Sequence, residues 1–237
     1  MKLILSGEGP TDIGDWGYSG TGEKHFRPGP MTYFIDKLIS PMLGYSPLAV
    51  DNGRGDVVSF IDESELSHRQ RTDPIVLRGK KAGKGSGFFT KNAQAIGLIA
   101  IDEASGLDTP VIAVLFRDGD GTQSRDDWNE KRASIERGFE RVNYTKGVPM
   151  LPHPKSEAWL LCALKKGYRS CKSLESRSGN DKSPHSLKAE LEELLDEPAT
   201  REIVNSLINA GRIDPHRIDM PSFNVFKERL KAKASAE

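Results

Sequence analysis

The chain has 237 residues, enough for one ordinary domain with embellishments and a sizeable core. Lys plus Arg equals Asp plus Glu, 34 of each, so no bulk charge argues for a nucleic-acid polyanion or an anionic membrane, and any electrostatic case has to be local. The apolar runs are far shorter than the ~18–20 residues that cross a bilayer, and Met1 leads directly into LILS, so neither a membrane span nor a signal peptide is expected.

In chain order, residues 2–6 read as a short buried strand that runs into GEGPTD. Residues 7–30, glycine-rich with scattered charges, are expected to form a long loop at a sheet edge. Phe34, Ile35, Leu38, Ile39 and Met42 recur at helical spacing and predict a helix over 31–43. The second strand is expected at 75–77, with 47–50 as the other candidate. The charged DESELSHRQR between them resembles a solvated surface segment. Residues 88–104 carry apolar positions at helical spacing, and VIAVLF at 111–116 is an unbroken apolar strand of the buried parallel type. A polar helix over 126–142, a strand over 147–151 and an apolar-faced helix over 155–166 follow. Strands thus alternate with helices, which predicts an α/β fold: an open, mostly parallel, Rossmann-like sheet flanked by helices, with functional groups beyond the carboxyl ends of the strands. From 184 onward the pattern is helical only, so the expected division is an α/β domain over 1–183 and a helical C-terminal extension over 184–237 packed on it. Cys162 and Cys171 have neither CxxC spacing nor paired histidines, and are expected to be reduced thiols in a cytoplasmic protein.

Three acidic elements fall at predicted strand ends or in the turn that follows: Glu8 with Asp12 in EGPTD, Asp118 with Asp120 in DGD, and Glu157 in PKSEAWLL. Carboxylates crowded at one sheet edge repel unless a cation neutralises them, and hard divalent cations take oxygen ligands. Taken singly, each has a structural reading: Glu8 as a helix cap, DGDGT as a polar turn, Glu157 as an acid in a first helical turn. Arg78, Lys80, Lys81, Lys84 and Lys91 follow one another with four glycines and no acid between them, a segment able to approach a phosphate backbone or simply to be solvated. It is not a P-loop, because Gly83-Lys84 is followed by glycine. Trp16, Tyr18, His25 and Phe26 in the first glycine-rich stretch could stack on bases, but such aromatics more often pin a loop to its own domain. His153 is a secondary candidate for a base or ligand. Trp159 is expected in a helix core and Trp128 over a helix surface.

The order of these motifs resembles the TOPRIM superfamily of topoisomerases, bacterial primases and OLD nucleases, whose hallmark is a strand ending in Glu followed by a strand ending in DxD. The closer resemblance is to small stand-alone TOPRIM-like proteins of the DUF4276 kind, with EGPTD, KKAGKGSG, DGD and SEAWLL as the matching pieces, spanning about residues 3–161. Asp12 departs from that pattern, where Glu is commoner. The resemblance implies that Glu8, Asp118 and Asp120 hold one or two Mg2+ or Mn2+ ions, with Asp12 and Glu157 completing the shell and Lys155 stabilising a phosphate or leaving oxygen. It further implies hydrolysis of DNA or RNA phosphodiesters and, by analogy with bacterial defence loci, an ATPase protein partner. Removing Glu8 or Asp118 as alanine is then expected to abolish activity and leave the fold intact. Two other readings compete: a haloacid-dehalogenase-type phosphatase with Asp118 of DGDGT as nucleophile, and a non-catalytic interaction or sensor module.

Overall fold

A computed structural model describes residues 1–72, 86–119, 124–164, 171–183 and 185–235. Its centre is a four-stranded parallel sheet of β1 (Lys2–Gly7), β4 (Val58–Phe60), β5 (Val111–Phe116) and β6 (Gly147–Met150), in the order β4-β1-β5-β6. β2 (Gly14–Tyr18) and β3 (Lys24–Pro28) pair separately as an antiparallel hairpin.

Strand periodicity of two sorts the side chains of β5 between two apolar layers. Ile112, Val114 and Phe116 enter one cluster, while Val111, Ala113 and Leu115 enter the other. Each fully buried side chain of this size contributes about 1.5–3 kcal/mol by leaving water, which is why a run with no polar interruption becomes a central strand. The first layer is covered by α1 (Pro30–Leu43), α6 (Ser156–Leu164), α7 (Leu187–Leu195), α8 (Arg201–Asn209) and α9 (Pro221–Ser235). The second is covered by α3 (Glu63–Thr72), α4 (Ser86–Ser105) and α5 (Arg125–Arg141). The helix α1 starts with Pro30 in its first turn and stops at Gly44, whose left-handed backbone (φ 76°) lets its N–H close on the Ser40 carbonyl. The helices beyond residue 184 belong to the apolar cluster of the sheet: Phe223, Phe226 and Leu230 of α9 pack with Phe34 of α1 and Trp159 of α6. Arg201 of α8 also donates to Asp15 Oδ1 (2.8 Å) and to the Pro10 carbonyl, tying that helix to the hairpin.

Four expectations need correction. The stretch 7–30 is not one loop but carries the β2–β3 hairpin. Gly14 makes it possible: its φ of 123° is open to glycine, and a Cβ there would stand 2.3 Å from the Arg27 carbonyl oxygen. The aromatics of this stretch hold it down, with Phe26 stacked on Phe60 and Trp16 Nε1–H donating to the Phe60 carbonyl. The second strand is Val58–Phe60, stabilised at its entry by the buried Asp51 carboxylate, which accepts the N–H groups of Gly55, Val57 and Val58. Residues 47–51 form a short helix, α2 (Pro47–Asp51), and 75–77 lie outside the described residues. Trp128 does not cover a surface: it is 1% exposed, and its Nε1–H donates to the Leu151 carbonyl.

The fourth correction concerns redox state. Cys162 on α6 and Cys171, just ahead of a 3-10 turn at Lys172–Ser176, form a disulfide (S–S 2.07 Å), so the expectation of reduced thiols fails. No free cysteine remains among the described residues. Both sulfur-bearing residues are buried, so alanine rather than serine is the substitution that avoids stranding a hydroxyl. Cross-linking residues nine apart should add about 2–3 kcal/mol by restricting the unfolded chain. A Cys162→Ala/Cys171→Ala variant, or the reduced wild type, is expected to unfold at correspondingly lower urea; coincident curves for oxidised and reduced protein would refute the cross-link. No helix among the described residues is long and apolar enough to cross a membrane.

Candidate functional site

The strand order reverses around β1: the chain leaves it through α1 to β4 on one side and later returns to β5 on the other. In open α/β sheets, the crevice beyond the carboxyl ends of two such strands is where ligands bind. The register pairs Gly7 of β1 with Phe116 of β5, so the next residues, Glu8 and Arg117, leave the sheet side by side and Asp118 follows. The two predicted acidic motifs therefore converge at the switch point. Gly9, with φ 79°, turns the chain away directly after Glu8.

Each carboxylate also has a local duty. Asp118 Oδ1 accepts the N–H of Ser156 (3.1 Å), the first residue of α6, and so supplies an acceptor to one of the otherwise unpaired donors of that helix N-terminus. Glu8 is about half exposed and lies 3.9 Å from Arg117 Nε. Arg117 is the residue that sequence reasoning passed over. It is fully buried, its Nη1 donates to the Phe116 carbonyl (2.8 Å), and its Nε and Nη2 have no hydrogen-bond partner among the described residues. Burial pulls its pKa below the ordinary guanidinium value, against the opposing pull of Glu8 and Glu63. Alanine at position 8 would thus remove a counter-charge from a buried cation, and alanine at 118 would remove an α6 acceptor.

Lys155 and Glu157 lie at the start of α6. Lys155, 8% exposed, donates to both oxygens of Asp181 (3.0 and 2.9 Å). Burial raises the Glu157 pKa; its own backbone N–H and Lys155 oppose the rise, and the carboxylates of Asp12 and Asp181 add to it. Glu157 thus feels the charges of Lys155, Asp12 and Asp181. Asp12 also anchors the backbone, its carbonyl accepting the Met31 N–H at the start of α1. Asp120 lies outside the described residues, as do Arg78, Lys80, Lys81 and Lys84, while Lys91 is exposed on α4. His153 is stacked on Trp128, and burial chiefly lowers its pKa, Glu175 opposing and Arg125 and Lys131 assisting.

No protein-family model, curated protein or solved structure matches this chain. Glu8, Asp118 and Glu157 offer hard oxygen donors, the chemistry of Mg2+ or Mn2+ and not of zinc. Among the described residues, however, no three of His, Cys, Asp and Glu group closely enough to hold an ion. The donor chemistry fits a hard cation; the described donors are fewer than one needs.

Proposed function

We propose that this chain is a TOPRIM-like, metal-dependent nuclease acting on nucleic-acid phosphodiesters at the carboxyl ends of β1 and β5. The observation that carries the reading is that Glu8 and Asp118 lie just past the carboxyl ends of neighbouring parallel strands at the switch point of the sheet, where a doubly wound fold binds its ligands. On this reading Glu8 and Asp118, joined by Asp120, hold Mg2+ or Mn2+. Such an ion supplies charge stabilisation at a phosphate and a more acidic bound water. The role of Arg117 is to hold the Glu8 carboxylate at the sheet edge by charge from beneath. Lys155, fixed by Asp181, keeps a positive charge beside Glu157 and lowers the cost of a second carboxylate at the edge.

The test uses Glu8→Gln and Asp118→Asn, which keep size and an acceptor oxygen while removing charge. Calorimetric titration with Mn2+ and cleavage of plasmid, single-stranded DNA and RNA are run on the same samples. Wild type is expected to bind the ion and cleave at least one substrate, and each variant to lose about a hundredfold or more in both, since even outer-sphere changes at metal sites cost 10–100-fold. Absence of Mn2+ binding by the wild type would return both acids to their structural duties.

A further inference from the structure

A cavity of about 610 Å3 opens where the N-terminus of α5 faces the 3-10 turn Lys172–Ser176 and the start of α9. Glu8, Asp118, Lys155 and Glu157 do not line it. Among the described residues its walls carry three cations, Arg125, Lys172 and Arg177, against one carboxylate, Glu175, and Arg177 is itself paired with Glu190 and donates to the His185 carbonyl (2.7 Å). That carboxylate is already committed: its Oε2 accepts from Arg125 Nη1 (2.5 Å) and its Oε1 accepts the Ser222 N–H (2.6 Å), with the side chain 7% exposed. Glu175 thereby acts as a buttress for Arg125 more than as a repulsive wall.

The guanidinium of Arg125 is fixed twice over, by Glu175 at one edge and by the Trp128 ring 4.8 Å beneath it, while almost half of its side chain remains open. A planar guanidinium held in place with donors to spare is pre-organised for a phosphate, because little rotamer entropy is left to lose. The turn that carries Lys172 and Glu175 is anchored to α6 by the Cys162–Cys171 disulfide. Ser124, the N-cap of α5, adds the positive end of a 17-residue helix, partly offset by the exposed Asp126 and Asp127 of its first turn.

An unmet polar group also lines the cavity. His153 is 6% exposed, stacked on Trp128, and its Nδ1 has no hydrogen-bond partner among the described residues. A buried polar atom left unsatisfied is costly, and a ligand that reaches it recovers that cost. Small-molecule sites typically enclose about 300–1,000 Å3, so this cavity has room for more than an inorganic anion.

We propose that this cavity binds a phosphate-bearing small molecule of mononucleotide size, with its phosphate on Arg125, Lys172 and Arg177 and its uncharged part reaching His153. The site is separate from the switch-point carboxylates and stands whether or not the chain cleaves nucleic acid.

Calorimetry with adenosine 5′-monophosphate, inorganic phosphate and a short single-stranded oligonucleotide tests this on the full chain, in parallel with thermal unfolding of each protein. Saturable binding of the mononucleotide is expected, tighter than that of inorganic phosphate. Lys172→Gln, at an exposed position, and Arg125→Lys, which keeps a cation beside Glu175 but removes the planar fork, should each weaken it about tenfold with no matching loss of melting temperature. Mononucleotide affinity unchanged in both folded variants would overturn the assignment. So would equal affinity for inorganic phosphate, binding of the oligonucleotide alone, or no saturable binding by the wild type.

Discussion

Trp159→Ala is expected to lower the free energy of unfolding by about 3–5 kcal/mol, the usual cost of emptying a large aromatic from a packed core. Trp159 is fully buried, meets Phe223 edge-on with ring centroids 4.9 Å apart, and stacks on Phe226 at 5.8 Å. Its Nε1–H donates to Ser222 Oγ (2.9 Å), so the substitution also leaves a buried hydroxyl short of a partner. The residue joins α6 to α9, and α6 begins at the N–H that Asp118 accepts; damage here should therefore reach the switch point. Urea unfolding monitored by circular dichroism measures the loss, and Trp159→Phe, which keeps most of the ring area, should recover more than half of it. A loss below about 1 kcal/mol would mean that α9 does not fold cooperatively with the sheet.

Arg117→Met should act in the opposite direction and raise stability by about 1–3 kcal/mol. A charged group taken wholly out of water is costly, and exchange of buried ionic groups for apolar side chains of similar volume is often neutral or stabilising. Arg117 has the features that make it so: no exposure, two nitrogens without hydrogen-bond partners among the described residues, and the Glu8 carboxylate at 3.9 Å, outside hydrogen-bonding reach. Methionine forfeits the bond from Nη1 to the Phe116 carbonyl, the charge pairing with Glu8 and the guanidinium's position 5.6 Å over the Phe88 ring, and these losses set the lower end of the range. If the variant is more stable and loses whatever activity Glu8 supports, Arg117 is retained for function at a cost to the fold. If it unfolds more easily, Arg117 is a strut and its charge has found compensation.

Much of the sheet was legible in the residues. VIAVLF could hardly be anything but a doubly covered strand, and the spacing in 31–43, 88–104 and 126–142 announced the helices that cover it. The edge strand was not: Val58–Phe60 has only three residues, two of them buried, too short a run for alternation to stand out from its polar flanks. The hairpin was hidden because glycine lowers strand propensity, while here Gly14 supplies a conformation needed where β2 begins, opposite Pro28 of β3. The disulfide carried no diagnostic spacing: two cysteines nine residues apart, with neither a CxxC pair nor a larger cysteine framework, gave no sign of a cross-link. At the switch point, sequence order alone put Glu8 and Asp118 at strand ends, and the parallel register sets Glu8 beside Arg117 with Asp118 the next residue on. Arg117 left no trace, since an arginine ahead of an acidic glycine-rich turn reads as a surface residue. The cavity at Arg125 draws on residues scattered between 124 and 221, a set that no local pattern assembles.

The position of β1 between β4 and β5 also shapes how the molecule must be assembled. Leu3 pairs with Val58 and with Ile112, so this strand waits for partners more than fifty and more than a hundred residues farther along the chain. Pairings of such separation carry the loop-closure entropy that makes folding slow, and until they form, an apolar strand with both edges open is available to any neighbour. Helices α4 and α5, which pack against each other from nearby segments, are the natural place for structure to accumulate first, and the sheet edge that carries Glu8 comes into being only when the last of its strands is captured.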